Sequence, residues 1–181
     1  GLAVMDEETA GKIRDYVRDG GCVLMTSNSA VVDNTGKVFG STHPGMLADV
    51  FGIRVASYEE TSVMNEISLD GYKDNRLRID WNGRNVDVKS ARYDVMYPQT
   101  ADVLATVSSL PGNSPILTCN EYGKGKAYYL GLPSGCGIMG DLLDALVAQL
   151  DISKGPDVPY GVMARDIDDT HSLYLNTTEE E

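Results

Sequence analysis

Apolar residues recur at helical spacing near both ends of the chain and alternate, or run together, through most of the middle. Ala10, Ile13, Tyr16 and Val17 share a helical face behind Asp6-Glu7-Glu8, acids that suit a helix N-terminus, and Gly20-Gly21 ends the run. Cys22 to Met25 is a short continuous apolar run, which predicts a strand buried on both faces of a sheet. A helix feeding such a strand is half of a βαβ unit. The other strand would lie before residue 1, so the chain is expected to begin inside a fold and to be a fragment of a larger protein.

Residues 27–42 are rich in Ser, Asn, Thr and Gly and read as a loop leaving the carboxyl end of that strand. Pro44 opens a short helix through Met46, Leu47, Val50 and Phe51, with Gly52 as its stop. Ile53 and Val55, and then Val63 to Leu69, suggest strands. Arg76 to Trp81 and Arg84 to Lys89 alternate in polarity about Asn82-Gly83, the favoured two-residue type I′ turn. Pairing across it sets Trp81 opposite Arg84, Ile79 opposite Val86 and Leu77 opposite Val88 on one face, with Arg78 meeting Asp87 on the other. Val103 to Val107 reads as a further strand, and Pro115 to Cys119 and Lys126 to Leu130 flank a second hairpin at Tyr122-Gly-Lys-Gly125. Ile138, Met139, Leu142, Leu143, Leu146, Val147 and Leu150 give the longest amphipathic helix. Residues 153–159, with two prolines and a glycine, read as a linker, and Gly161 to Ile167 with Ser172 to Asn176 make a last hairpin about Asp168-Asp169. A lone hairpin is marginal in water, so this one leans on the main body or belongs to a second domain.

Composition narrows the class. The chain has 181 residues, 42% hydrophobic, enough for a core without disulfides or a structural metal. Cys22, Cys119 and Cys136 are odd in number and far apart, as buried free thiols would be. No apolar run approaches the roughly 20 residues of a membrane span, so no membrane partner is expected. A signal peptide would precede residue 1, which hides the compartment; a cytoplasmic one is favoured. The net charge is −12, and half of it falls in residues 151–181, where eight acids face Lys154 and Arg165. Residues 72–92 are locally basic, but the hairpin explains them as its solvent face and the overall field repels a phosphate backbone, so no nucleic-acid partner is expected.

No constellation of side chains declares a reaction. Cys136 lies between a strand and a helix, where a cysteine hydrolase or amidotransferase using His43 or His171 would place its nucleophile, but it follows the strand by several residues and lacks a Gly-x-Cys-x-Gly turn. His43 has no second histidine nearby to share a metal. Asp166, Asp168 and Asp169 lack EF-hand spacing, and Gly123-Lys-Gly-Lys126 lacks the spacing of a phosphate loop. Trp81, Tyr93 and Tyr97 are the stacking platforms that a carbohydrate-binding module would use. No catalytic residue, metal or cofactor is expected. The candidates for a ligand or interface loop are Asn28, Asn34 and His43, because α/β sheets bind at the carboxyl ends of their strands.

Four segments together resemble the middle and early C-terminal parts of family 42 β-galactosidases: Tyr16-Val17 with Gly20-Gly21 and the strand after it, Pro44-Gly-Met-Leu-Ala-Asp-Val-Phe-Gly-Ile53, Glu121-Tyr-Gly-Lys-Gly-Lys-Ala-Tyr-Tyr-Leu-Gly131, and Gly161-Val-Met-Ala-Arg165 with Tyr174-Leu-Asn176. The middle part is the trimerisation domain. The resemblance implies an α/β, three-layer sheet like that of class I glutamine amidotransferases (flavodoxin-like) over residues 1–152, lacking its first strand, a linker at 153–159, and the start of a C-terminal β domain, a short hairpin appendage, at 160–181. It further implies a non-catalytic scaffold whose partners are two more copies of itself, as a homotrimer, and the catalytic barrel of the same or a neighbouring subunit. The two catalytic glutamates of the family lie on that barrel, before Gly1, in an enzyme expected to hydrolyse terminal β-D-galactosides.

Overall fold

In the computed structural model, which describes residues 2–39, 43–60, 76–89, 92–108, 113–152, 155–156, 158–159 and 161–178, the first helix, α1, runs Glu7–Arg18. Asp6 caps it: the carboxylate accepts the Thr9 N–H at 2.7 Å, which satisfies one of the donors a helix start leaves open. Ala10 and Val17 are buried, whereas Tyr16, expected on the same face, is exposed and covers Gly21, where an added Cβ would strike its ring. β1 (Cys22–Thr26) follows, and a 3₁₀ turn at Gly45–Leu47 leads into a one-turn helix, α2 (Ala48–Phe51), stopped by Gly52 in the left-handed region. From there to Leu130 the described residues hold only strands: β2 (Ile53–Glu60), β3 (Arg76–Trp81), β4 (Arg84–Lys89), β5 (Arg92–Pro98), β6 (Asp102–Val107), β7 (Ser114–Tyr122) and β8 (Gly125–Leu130). The strand expected over 63–69 lies outside the described residues.

Six of these strands form one sheet in the order β1-β8-β7-β6-β3-β4, and β2 pairs with β5 in a second sheet. Within the large sheet β1–β8 is parallel, and every other neighbouring pair is antiparallel. Strand makes up 47% of the described residues and helix 20%, and the sheet curls into a half-barrel. The three-layer, glutamine amidotransferase-like (flavodoxin-like) α/β sheet expected from the sequence is therefore incorrect. Hairpin turns at Asn82-Gly83 and Gly123-Lys124 can join only antiparallel neighbours, whereas a parallel sheet needs a crossover of a dozen or more residues, usually helical, between its strands. β1 also departs from expectation. It ends the sheet order instead of lying inside it, and Cys22, Val23 and Leu24 are only half-buried.

The first hairpin has the register its alternation predicts, with Trp81 opposite Arg84, Ile79 opposite Val86 and Leu77 opposite Val88. On the other face Arg78 Nε meets Asp87 Oδ1 at 3.0 Å, an exposed pair that accounts for part of the basic stretch. β5 and its pairing with β2 are not legible in the sequence reading. Together they complete a buried cluster in which Val17 of α1, Met25 of β1, Phe51 of α2, Ile53 of β2, Met96 of β5 and Tyr129 of β8 meet. The Phe51 ring stands edge-on to Tyr129 with centroids 5.9 Å apart, a favourable aromatic geometry.

The chain divides into two compact units, Gly1–Met139 and Gly140–Glu181. All the strands above belong to the first. A helix, α3 (Met139–Gln149), begins at the division, and Leu142 and Leu146, four residues apart on one face, are its buried residues. β9 (Val162–Asp168) and β10 (His171–Asn176) pair antiparallel with a bulge at His171/Ser172. Asp168 shapes their turn, accepting the backbone N–H groups of Thr170 and His171, each at 2.9 Å.

Candidate functional site

Beyond the carboxyl ends of β1 and β8, wholly within the first unit, lies a cavity of about 310 Å³. Its floor follows from the chain just after β1. Thr26, Ser27 and Ser29 are buried polar residues: Ser29 Oγ donates to the Thr26 carbonyl at 2.7 Å, and the Ser27 N–H donates to Leu132 beyond β8 at 3.2 Å. Asn28 and Ala30 both adopt positive φ, 66° and 52°. Asn tolerates that region; Ala does so at a cost of about 1–2 kcal/mol, so the loop is held in shape by its surroundings.

β5 supplies the charged wall. Its Asp94 N–H donates to the Gly131 carbonyl at 2.8 Å, which fixes the strand at the end of β8 and turns the carboxylate toward Tyr129. Asp94 is 4% exposed, and its Oδ2 accepts the Tyr129 hydroxyl at 2.8 Å. Burial pushes the Asp94 carboxyl above the usual carboxylate range, opposed by the Tyr129 hydrogen bond, the positive Arg92, the Asn28 backbone hydrogen bond and His43. Burial, together with the neighbouring carboxylate, pushes the Tyr129 phenol far up, so it remains a hydrogen-bond donor. Arg92, two residues before Asp94 and so on the same face of β5, lays its guanidinium over the Tyr58 ring at 4.3 Å from the centroid.

The sequence candidates part company here. Asn28 and His43 line the cavity. Asn34 does not. It is exposed on a turn organised by Asp33, whose Oδ1 accepts the N–H groups of Thr35 and Lys37. His43 is bridged to β2, its carbonyl accepting the Val55 N–H at 2.8 Å, and its Nδ1 is buried without a hydrogen-bond partner. A buried polar atom left unmatched costs about 1–3 kcal/mol. Arg92, Asp94 and Tyr129 were missed by sequence reasoning. The signal for Asp94 was an acid set within the apolar run Tyr93 to Tyr97, just before Pro98.

The arrangement binds more readily than it reacts. Among its described lining residues Asp94 is the sole carboxylate, so the paired acids of glycoside hydrolysis are not assembled here. Cys136 is buried, its thiol pushed up by desolvation, and it does not line the cavity. A protonated, enclosed thiol is a poor nucleophile. His171 is occupied in the β9–β10 turn, with Nδ1 2.8 Å from Asp168. The aromatic residues of the stacking alternative do not form a common platform: Tyr93 is buried, Tyr97 carries Arg54 over its ring, and Trp81 belongs to the other sheet. Among the described residues no cluster of three or more His, Cys, Asp or Glu could hold a metal ion.

Comparison with known proteins gives the family. Residues 1–153 match the family model described as the beta-galactosidase trimerisation domain. Beta-galactosidase LacA of Lactobacillus acidophilus is 34% identical over 121 residues, covering 66% of this chain and 16% of that protein. Beta-galactosidase GanA of Bacillus subtilis (strain 168) is 27% identical over 185 residues, covering 99% of this chain and 26% of that protein. The structure of a catalytic mutant of Gan42B, a GH42 beta-galactosidase from G. stearothermophilus, superposes with a TM-score of 0.76 at 25% identity, covering 99% of this chain and 25% of that one. The chain thus spans about a quarter or less of the relatives it matches. The family match, together with the curled, mainly antiparallel sheet, places the chain in the trimerisation-domain family of GH42 β-galactosidases.

Proposed function

We propose that this chain is the subunit-joining domain of a β-galactosidase and takes no part in bond cleavage. The single observation that carries the reading is the family match over residues 1–153. Supporting it, the described lining residues of the cavity include one carboxylate where hydrolysis of a glycoside needs two. In this reading the catalytic pair belongs to a separate barrel of the same or a neighbouring subunit, and the whole enzyme hydrolyses terminal β-D-galactosides as a homotrimer. The proposed organisation assigns residues 1–152 to the trimerisation domain, 153–159 to a linker and 160–181 to the start of a C-terminal β domain. In favour of that last assignment, Met163, Ile167, Leu173 and Leu175 project from one face of the β9–β10 hairpin and are exposed. Apolar side chains so placed await a packing partner.

Assay of the purified chain on a nitrophenyl β-galactoside tests the non-catalytic reading. No turnover above the uncatalysed rate is expected; activity that copurifies with the chain through successive columns would overturn it.

A further inference from the structure

We propose that the cavity walled by Asn28, His43, Tyr58, Arg92, Asp94 and Tyr129 is a binding site for a small neutral polyhydroxylated molecule of monosaccharide size. The inference goes beyond the proposed subunit-joining role and stands on the cavity alone.

Its volume, about 310 Å³, is at the lower end of ligand pockets, a size that suits a single pyranose ring. The polar groups within it are built in. Asp94 is 4% exposed and Tyr129 1%, and each is oriented by the bond between them. An ionised carboxylate offers about four lone-pair positions. Tyr129 and the Asn28 backbone take two, which leaves acceptor capacity for donors from a ligand. His43 Nδ1 adds a buried atom that has no partner in the protein.

Charge selects the ligand class. Arg92 and Asp94 lie on one face of β5 and offset each other, so an incoming anion meets the carboxylate and an incoming cation meets the guanidinium. A hydroxyl suits both requirements, because it donates to Asp94 and can either donate to or accept from His43 according to the imidazole tautomer. Among the other described lining residues Val31, Val38, Val55 and Ala56 are apolar, a surface for the C–H faces of a pyranose, and Ser29 and Ser57 are small and polar. A sugar also meets the demand for several hydroxyls close together, which a simple alcohol does not.

The test is a titration of the isotope-labelled chain with D-galactose and D-glucose, followed by the backbone amide shifts of Asn28, His43 and Asp94, with D-galactonate and D-galactosamine as the charged counterparts. The expected result is saturable movement of those amides with at least one neutral hexose, and affinity weaker by about tenfold or more for both charged analogues. Asp94→Asn and, separately, His43→Leu should each weaken hexose binding by about tenfold or more, while Asn34→Ala leaves it unchanged. Should Asp94→Asn fail to give a folded spectrum, His43→Leu decides. A cavity that holds only water gives no saturation with either hexose, and that result overturns the proposal, as does unchanged affinity in the folded variants. Light scattering on the same samples reports subunit association separately, so loss of one reading leaves the other measurable.

Discussion

Asn120, on β7, ties α2 to the turn between β5 and β6. Its amide donates to the Val50 carbonyl at 2.9 Å and the Asp49 carbonyl at 3.3 Å, oxygens at the end of α2, while its own oxygen accepts the Thr100 hydroxyl at 2.9 Å. Asn120→Ala removes all three at a buried position and should cost about 2–3 kcal/mol in urea unfolding, whereas Asn34→Ala, on an exposed turn, should change stability by less than about 0.5 kcal/mol. Asp94 gives a pH signature. Its folded carboxyl lies above the ordinary value of 3.8, so the folded state holds the proton more tightly than the unfolded chain. The stability this contributes is complete below the unfolded value and is lost as pH rises through the folded one. Unfolding of the parent and of Asp94→Asn compared across that window should show the parent losing stability relative to the variant as pH increases; a constant difference would contradict the assignment. Sequence alone could mark Asn28 and His43, which flank elements with clear signals. It could not mark Asp94 or Asn120, because a buried acid or amide looks like a surface one until the partners that bury it are known.

At the scale of elements, turn chemistry was the most legible feature and long-range pairing the least. Asn82-Gly83 fixed the β3–β4 register to the residue, because the turn requires positive φ at both positions and the flanking alternation admits one pairing. The α/β expectation failed by extending the α1–β1 pair to the whole chain, when the strands after α2 are joined without helices among the described residues. β5 escaped notice because Tyr93, Asp94 and Met96 are all buried, which erases the polar alternation that marks a half-exposed strand. Two glycines separate backbone strain from close packing. Gly83 has open space around it and φ of 70°, so Gly83→Ala should cost about 1 kcal/mol, the left-handed penalty. Gly125 abuts the carbonyl oxygens of Val17 and Gly21, where an added Cβ has no room, and Gly125→Ala should cost about 3 kcal/mol by forcing α1 from the β7–β8 hairpin. Thermal unfolding of the pair checks the order, and equal losses would contradict it.

For the whole molecule, the family was legible because four loose motifs occur in a fixed order along 181 residues, although no single one of them specifies it. The three-layer parallel fold expected with that resemblance was not, since among the described residues of the six-stranded sheet β1–β8 is the one parallel pair and the other neighbouring pairs are antiparallel. A net charge of −12 on each chain opposes its own association, so the proposed trimer should strengthen as salt screens the repulsion. Sedimentation at low and moderate ionic strength checks that direction. The central claim, that this chain joins subunits, is tested most directly by light scattering on the purified chain over a range of concentrations. A mass near three times 19.6 kDa at the upper end of that range is expected, and a mass of one chain at every concentration would contradict it.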